Sequence, residues 1–366
     1  MDFYVFDQDY TLLGILASPI SVTYTEKYND RGDFQVNLPV DEINRELIKS
    51  DNVILFDKEK GIAGIIGIIS TDGETDDSPQ IVAKGKLIEE YIYRRIVWGL
   101  FSITETPEKI VHSMLMTQVI SPTDPNRAIA DIVLKASALA EVQKISYQNT
   151  GGNVGDNIAS ICASSGIGFR LSYHPSDKQM LFELYEGNDR TIEQRVLPQA
   201  LFSTEYENIM STSYNLNTQD MKNVALVAGE DSGTDRKTTS VGVASGKSRR
   251  EYFVDARDIQ STNSDGMTIS AEDYIALLKQ RGTEKLADVR ESQSFDCTVN
   301  TVGNIQYDQD YFLGDMVTVY DSLLNLQLNA RISEVQHAFT SFGEELYITF
   351  GFGPMTLAKK LRLKGV

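Results

Sequence analysis

Five side chains in the sequence are of the kind that bind transition metals or act as nucleophiles near neutral pH: His112, His174, His337, Cys162 and Cys297. Structural zinc sites bring such groups in pairs about two to five residues apart. None of the five has a second at that spacing, so no metal centre is expected. A serine nucleophile would need the Gly-x-Ser-x-Gly elbow that exposes it on a strained turn, and the chain has none. Cys162 falls inside an amphipathic helical pattern and Cys297 inside a strand-like run, so both read as buried free thiols. A disulfide between them would require Cα atoms within bonding range, which spacing alone does not decide.

Two loops imitate ligand sites. Gly151-Gly152-Asn153-Val154-Gly155 precedes a helical pattern, as phosphate-cradling loops do. It lacks the Lys-Ser/Thr that completes such a loop, and Asp156 would set a negative charge beside the phosphate; it reads as a flexible helix entry. Asp72, Glu74 and Asp76 alternate as calcium ligands do, but no glycine stands sixth and no glutamate twelfth, so a solvated hairpin tip is expected. Paired carboxylates for cleaving a glycoside are recognised by their separation in space, so a count of 52 acids carries no inference. Trp98, with Tyr91 and Tyr93, is expected in the core of a domain junction rather than on a sugar-binding platform. No catalytic, cofactor-binding or metal-binding residue is assigned.

The charge balance excludes more. Against 34 basic residues stand 52 acidic ones, a net charge of −18, and such a chain repels nucleic acid unless a basic patch overrides the total. Arg94-Arg95 and the segment 247–250 are too short for that and read as solvated turn or strand ends. At 366 residues, 41% of them hydrophobic, the chain is expected to form two or three domains that need neither metal nor disulfide. Asp2 stands where a secretory signal would be basic, and the longest apolar run, 61–70, is far short of a membrane span, so folding in a cytoplasm is expected.

The elements that must position these residues are mostly strands. Residues 3–6 and 12–17 flank a polar turn, and 20–24 and 34–38 enclose Asn29-Asp30-Arg31-Gly32-Asp33. A short helix over 39–50 takes Asp41 as its N-cap, with Ile43, Leu47 and Ile48 on one face. Thr106-Pro107 opens a helix striped by Ile110, Met114 and Leu115, and Asp124-Pro125 repeats the device before Ile129, Ile132 and Val133. A third helix spans 154–164 and stops at Gly166; a hairpin over 168–185 follows. Strands return at 209–216 and 222–229, and the polar stretch 231–246 reads as a long mobile loop. Ser270 and Asp273 form a capping box for a last helix, with Tyr274, Leu277 and Leu278 buried and a bend expected at Gly282.

Two three-run meanders, at 53–84 and 316–350, suggest two related β-modules in one chain, the second announced by Gly314-Asp315. Phe6-Asp7-Gln8-Asp9-Tyr10 also matches Tyr307-Asp308-Gln309-Asp310-Tyr311, a coincidence of two polar turns. The order of several landmarks is more specific: Tyr28 through Gly32-Asp33-Phe34 to Leu38-Pro39, Arg94-Arg95-Ile96-Val97-Trp98, the run from Phe182 to Gly187, Lys222 to Gly229, Arg249-Arg250-Glu251 to Ile259, Leu278 to Gly282, and Tyr311-Phe312-Leu313-Gly314-Asp315. In these the chain resembles the siphophage tail hub family, the baseplate hubs of long-tailed phages, similar in fold to the contractile-phage hub.

The resemblance implies a β-rich α+β chain with two β-barrel-like tube domains and small α+β insertions. It places a first tube domain at 1–98, an α+β domain at 99–197, and a second tube domain at 198–366 with a helical insertion around 251–292. It implies a homotrimer whose six modules form a pseudo-sixfold ring. That ring would mate with a hexameric distal tail or tail-tube protein, meet the tape-measure protein, and carry a fibre or lysin below. Genomic DNA would cross an acidic lumen in transit, without specific binding. The virion tail is the implied location, assembled in the host cytoplasm, with no cofactor and no stable membrane insertion. A chain ending at 359–366, soon after the last meander, resembles a bare hub. The competing readings are a tail-associated cell-wall hydrolase with paired carboxylates and a host-carbohydrate-binding module.

Overall fold

The computed structural model of the chain describes residues 2–72, 79–137, 139, 143–263, 266–301, 303–322, 325–341 and 343–351. The acidic tip beyond Asp72 and the C-terminal segment 352–366 lie outside these residues. The N-terminal part is a twisted sheet of β1 (Tyr4–Phe6), β2 (Leu12–Ile15), β3 (Ser21–Lys27), β4 (Asp33–Pro39), β5 (Val53–Asp57), β6 (Ile62–Asp72) and β7 (Gln80–Leu87). β4 alternates, burying Phe34, Val36 and Leu38 and turning Asp33, Gln35 and Asn37 outward, whereas β5 buries Val53, Ile54, Leu55 and Phe56 on both faces. Helix α1 (Glu42–Leu47) is capped by Asp41, whose carboxylate accepts from Asn44 N at 2.7 Å. Leu47 and Ile48 are buried, but Ile43 is 56% exposed, because six residues form too little helix to turn all three inward.

A second sheet half follows the same plan. Helices α2 (Glu90–Tyr93), α3 (Pro107–Leu115) and α4 (Val154–Ser165) lie between the halves in sequence, with β8 (Leu100–Glu105), β9 (Ile132–Leu134), β10 (Ile145–Thr150), β11 (Gly168–His174) and β12 (Gln179–Tyr185). Then come β13 (Leu201–Ser203), β14 (Ile209–Asn217), β15 (Val224–Ala228), β16 (Thr238–Val241), β17 (Glu251–Asp255), α5 (Ala271–Asp288), β18 (Ser292–Val299), β19 (Met316–Asp321), β20 (Leu326–Thr340) and β21 (Gly343–Gly351). In space the first half runs β1-β5-β6-β7-β4-β3, with β2 outside β1; the second runs β13-β19-β20-β21-β18-β14. By chain position these are one order.

Finer details repeat as well. β6 slips register against β7 between Ile66 and Ile68, and β20 slips against β21 between Ile332 and Glu334. In the first half Asp51 N donates to Ile66 O and Ile66 N to Asn52 O; in the second Gly314 N donates to Ile332 O and Ile332 N to Asp315 O, all at 2.9 Å. Asp51 and Gly314 both take positive φ, 66° and 97°. Tyr24 pairs with Phe34 as Tyr214 pairs with Phe295. One difference is that β1 meets β5 antiparallel while β13 meets β19 parallel.

Neither half closes on itself among the described residues. β19 lines one edge of β20 from Leu326 to Arg331, and beyond that β3 takes the same edge from Glu334 to Thr340. The halves therefore merge into one open 13-stranded sheet. A barrel closes by pairing its own two edges; here β3, an edge of the first half, is consumed by the second.

The remaining elements build smaller units. α3 buries Ile110, Met114 and Leu115 as its stripe foretold, and α4 ends at Gly166 with φ 74°. Asp124-Pro125 opens only a single 3₁₀ turn, and Ile132 and Val133 lie in strand β9, paired parallel to β12. Two β-branched residues followed by a strand partner outweigh the helix-start signal. The stretch 231–246 is likewise not all loop: β16 within it pairs with β15, which pairs parallel with β17. α5 covers this small sheet, burying Tyr274, Leu277 and Leu278 against Ala225, Val227 and Val254. Gly282 is a point of close approach, since a Cβ there would fall 2.6 Å from Val227.

Candidate functional site

The chain's parts meet around Tyr28, which follows β3 and is 2% exposed. Its main chain bonds both other parts: Tyr28 N donates to Ser333 O at 2.9 Å, and Phe169 N donates to Tyr28 O at 3.0 Å. Its hydroxyl donates to Gly166 O at 3.0 Å and accepts from Gly187 N at 3.4 Å. Arg331 stacks 4.9 Å over the ring and donates to Gly314 O at 2.6 Å, while Tyr185 meets the ring edge-on. Glycines make the room. A Cβ on Gly168 or Gly314 would lie 2.4 Å from the Tyr28 ring, and one on Gly187 would lie 1.8 Å from Gly314 O.

Beside this joint Asp315 clamps the second half to the segment leaving β12. Its carboxylate accepts from Asn188 N at 2.7 Å, Arg190 Nε at 2.7 Å and Phe312 N at 3.0 Å. Asp315 is 1% exposed, and the Arg190 side chain 10%. Tyr28, Gly187, Gly314 and Asp315 come from three separate sequence landmarks and converge here.

A second buried cluster sits on the seam between β3 and β20. His337 faces Tyr24 across the strands and stacks on it at 4.6 Å. Its Nδ1 lies 3.3 Å from Glu344 and its Nε2 3.6 Å from Glu26, while Tyr307 closes the site 5.7 Å away. Burial alone would pull the imidazole's pKa down; the two carboxylates outweigh it, Lys60 opposing them, and hold it above the ordinary value. Nearby Glu89 is fully enclosed, accepting from Leu171 N at 3.2 Å with its other oxygen unpartnered among the described residues. Burial raises its pKa to about 7.

Both groups hold protons more tightly folded than unfolded. Their contributions are complete at acid pH and shrink as pH rises: from about 4.5 to about 7 for Glu89, and from about 6.5 through the raised folded value for His337. Glu89→Gln is therefore expected to stabilise the protein at pH 8 by about 3 kcal/mol and to flatten its pH dependence between about 4.5 and 7. Urea midpoints across that range check it; an unchanged slope would count against it.

Other residues of chemical type have structural surroundings. His112 is half-buried beside Phe182 with a pKa lowered by burial, and His174 Nε2 lies 3.0 Å from Ser172 Oγ. Cys162 and Cys297 are buried free thiols, as expected, with pKa values raised by burial. The glycine loop is a tightly packed helix entry rather than a flexible one: Asn153 caps α4, and a Cβ on Gly155 would fall 2.3 Å from the Tyr93 ring. Tyr93 is buried, but Trp98 is 55% exposed under the Arg127 guanidinium, 4.3 Å above its ring. A stacked cation can cover an aromatic face without a core around it, which corrects the expected burial of Trp98. Arg94 pairs with Asp51, and Arg249 with Glu251. The two Asp-Gln-Asp turns differ: Asp7 accepts from Asp9 N and Thr11 N, whereas Asp310 accepts from Gln306 N.

From β18 across to β7 the outward face of the large sheet is mainly polar, and beyond β7 the same face carries buried Ile65 and exposed Ile68. Reading across the strands by register, one row runs Thr298, Tyr347, Gln336, Thr25, Asp33, Lys86 and the next Glu345, Ala338, Thr23, Gln35, Lys84. Lys27 and Lys86 are held by Asp33 at 3.5 and 3.3 Å, and Lys27 also by Glu334. An open groove of about 500 Å³ on this face includes the carboxylates of Asp33 and Glu90, and both are already ion-paired, Glu90 with Arg31. Among the described residues no three His, Cys, Asp or Glu side chains gather as a metal would need, and no helix is long and apolar enough to cross a membrane.

Solved structures share this architecture from end to end. The tail protein of Neisseria meningitidis MC58 superposes with a TM-score of 0.56 at 14% identity, over 95% of each chain. The 43 kDa tail protein of prophage MuSo2 from Shewanella oneidensis gives 0.54 at 11% identity, over 96% of this chain and 98% of that one. Prophage tail protein gp18 from Listeria monocytogenes EGD-e gives 0.53 at 11% identity, over 100% and 99%. At such identities the likeness defines a fold, that of these phage tail proteins. A family model described as Siphovirus ReqiPepy6 Gp37-like protein matches residues 2–352, and the chain belongs to that family. Comparison with curated proteins gives no match.

Proposed function

We propose that the chain is a structural component of the siphophage tail, a homotrimeric baseplate hub that closes the tail tube. The observation that carries this reading is the repeat itself: two sheet halves with one strand order, one bulge and one positive-φ entry to the fourth strand of each repeat. Three chains then supply six like modules, which can mate with a hexameric distal tail or tail-tube protein above. In this reading 1–98 and 198–366 are the tube domains, 99–197 is the α+β domain between them, and α5 belongs to a unit inserted in the second.

The outward polar face is the natural lining for a DNA channel. Across β18 to β7 it carries Asp33, Asp296, Glu334 and Glu345 against Lys27, Lys84 and Lys86, so it is nearly neutral rather than strongly acidic. Hydroxyls, amides and the ion-paired Lys27 and Lys86 give phosphates little to hold, and Lys84 alone of the three lysines has no ion pair among the described residues; counterion-release binding needs many such free cations. The tape-measure protein and a downstream fibre or lysin are the remaining expected partners, met in the virion after assembly in the host cytoplasm. The groove's ion-paired carboxylates do not favour hydrolase chemistry.

Purified protein is expected to sediment at three times the 40.8 kDa chain mass, to form rings in negative stain, and to leave peptidoglycan uncleaved. Cell-wall turnover that survives purification would overturn the reading.

A further inference from the structure

The seam that joins the two halves within one chain specifies how a second copy would join. It pairs β3, the second strand of the first repeat, with the far end of β20, the fifth strand of the second. The same two positions in the opposite repeats are β14 and the far end of β6, and both are free edges among the described residues. β14 pairs only with β18 and ends the sheet. β5 lines β6 only as far as Ile65, with a last pair of bonds at Ile66, so the edge from Gly67 to Asp72 is open.

We propose that β14 of one copy pairs antiparallel with the open edge of β6 in the next, repeating between chains the seam that β3 and β20 make within one. This rests on the hub reading and adds its interface. The register follows from the repeat. Matching the two bulges sets Ile68 on Glu334, Ile69 on Val335 and Ser70 on Gln336. Matching the Tyr–Phe pairs sets Tyr214 on Tyr24, so Asn215 falls on Thr25 and Leu216 on Glu26. Within the chain Val335 opposes Glu26 and Gln336 opposes Thr25. Between chains Ile69 must then oppose Leu216, and Ser70 must oppose Asn215.

The side chains at these edges argue for the same partner. Ile69 and Leu216 are 45% and 51% exposed, although Ile69 opposes buried Ala83 and Leu216 lies on the Tyr214 side of β14. Two large apolar groups on open strand edges are what a soluble monomer avoids. In the proposed register they form a cross-strand pair on the core side, while Ser70 and Asn215 pair on the opposite face, which carries Lys84 and Asp296. The contact is heterologous, and a heterologous contact whose rotation closes generates a ring when repeated. Six like seams, three within chains and three between them, close the circle.

Opposed residues in an antiparallel pair lie within disulfide range, about 4.5–5.5 Å between Cα atoms. The full chain carrying Ser70→Cys and Asn215→Cys is expected, on oxidation, to run as covalent dimer and trimer on a denaturing gel, with most of the monomer band lost. Ile69→Cys with Asn215→Cys, slipped by one residue so the thiols face opposite sides, is the control and is expected to stay monomeric there. Separately, Leu216→Lys is expected to abolish the trimer and leave a folded monomer that still unfolds cooperatively, its midpoint no longer rising with concentration, and adding Ile69→Glu to it to restore the trimer. A trimer in solution that cross-links through the slipped pair, or that survives Leu216→Lys, overturns the seam and leaves the hub reading standing. A chain that is monomeric at every concentration and never cross-links overturns both.

Discussion

Asp315→Ala is expected to cost about 3–5 kcal/mol, as removing one partner of a buried ion pair does. The figure is large because native stability is only about 5–15 kcal/mol in total. The loss has a definite origin. Asp315 receives Arg190 Nε and the main-chain N–H groups of Asn188 and Phe312, all within 3.0 Å. Alanine would leave a guanidinium only 10% exposed without its charge partner and strand two amides. Asp315→Asn is expected to fall between, since it keeps the shape and one acceptor. The double variant Asp315→Ala, Arg190→Met is expected to recover much of the loss, because the uncompensated charge goes with the arginine. Equilibrium urea unfolding measures all three; a single variant within about 1 kcal/mol of the parent would show the clamp to be idle.

Tyr28→Ala is expected to cost a similar amount, about 3–5 kcal/mol, but through packing. The ring fills space that Gly168 and Gly314 leave open, and it supports the stacked Arg331 and Tyr185. Tyr28→Phe keeps the ring and removes the hydroxyl that donates to Gly166 O, so about 1 kcal/mol is expected. The gap between the two variants separates packing from hydrogen bonding. Because the ring touches three parts of the chain, limited proteolysis of Tyr28→Ala should release the α3–α4 region from the sheet before the sheet itself is cut. Equal losses from both variants would mean that the hydroxyl, not the ring, holds the joint.

The joint was only half legible in the sequence. Gly314-Asp315 stood out as the start of a meander, and Tyr28 and Gly187 as landmarks of a resemblance. Nothing in their spacing says that they touch. Gly187 and Gly314 lie 127 residues apart: Gly187 makes room for the backbone of Gly314, and Gly314 makes room for the Tyr28 ring and takes a φ of 97°. A lone glycine in sequence announces a turn or a close approach, but it does not name what approaches. The exposed Trp98 and the short turn after Asp124 failed for related reasons. A stacked arginine and a strand partner, both distant in sequence, overrode the local pattern.

What the amino-acid sequence determined by itself was local and periodic. Short apolar runs placed the strands of both meanders, Asp41 and Ser270 capped their helices, and Gly166 ended another, because backbone conformation and side-chain period act over a few residues. The order of strands in space belongs to the tertiary structure alone. That the outer edge of β3, still paired with β4 in its own half, takes up β20 of the other half depends on hydrogen bonds between residues some three hundred positions apart, and β14 and β6 are left with open edges. Any strand of suitable period can pair with any other. Only the packing of the whole chain chooses which do.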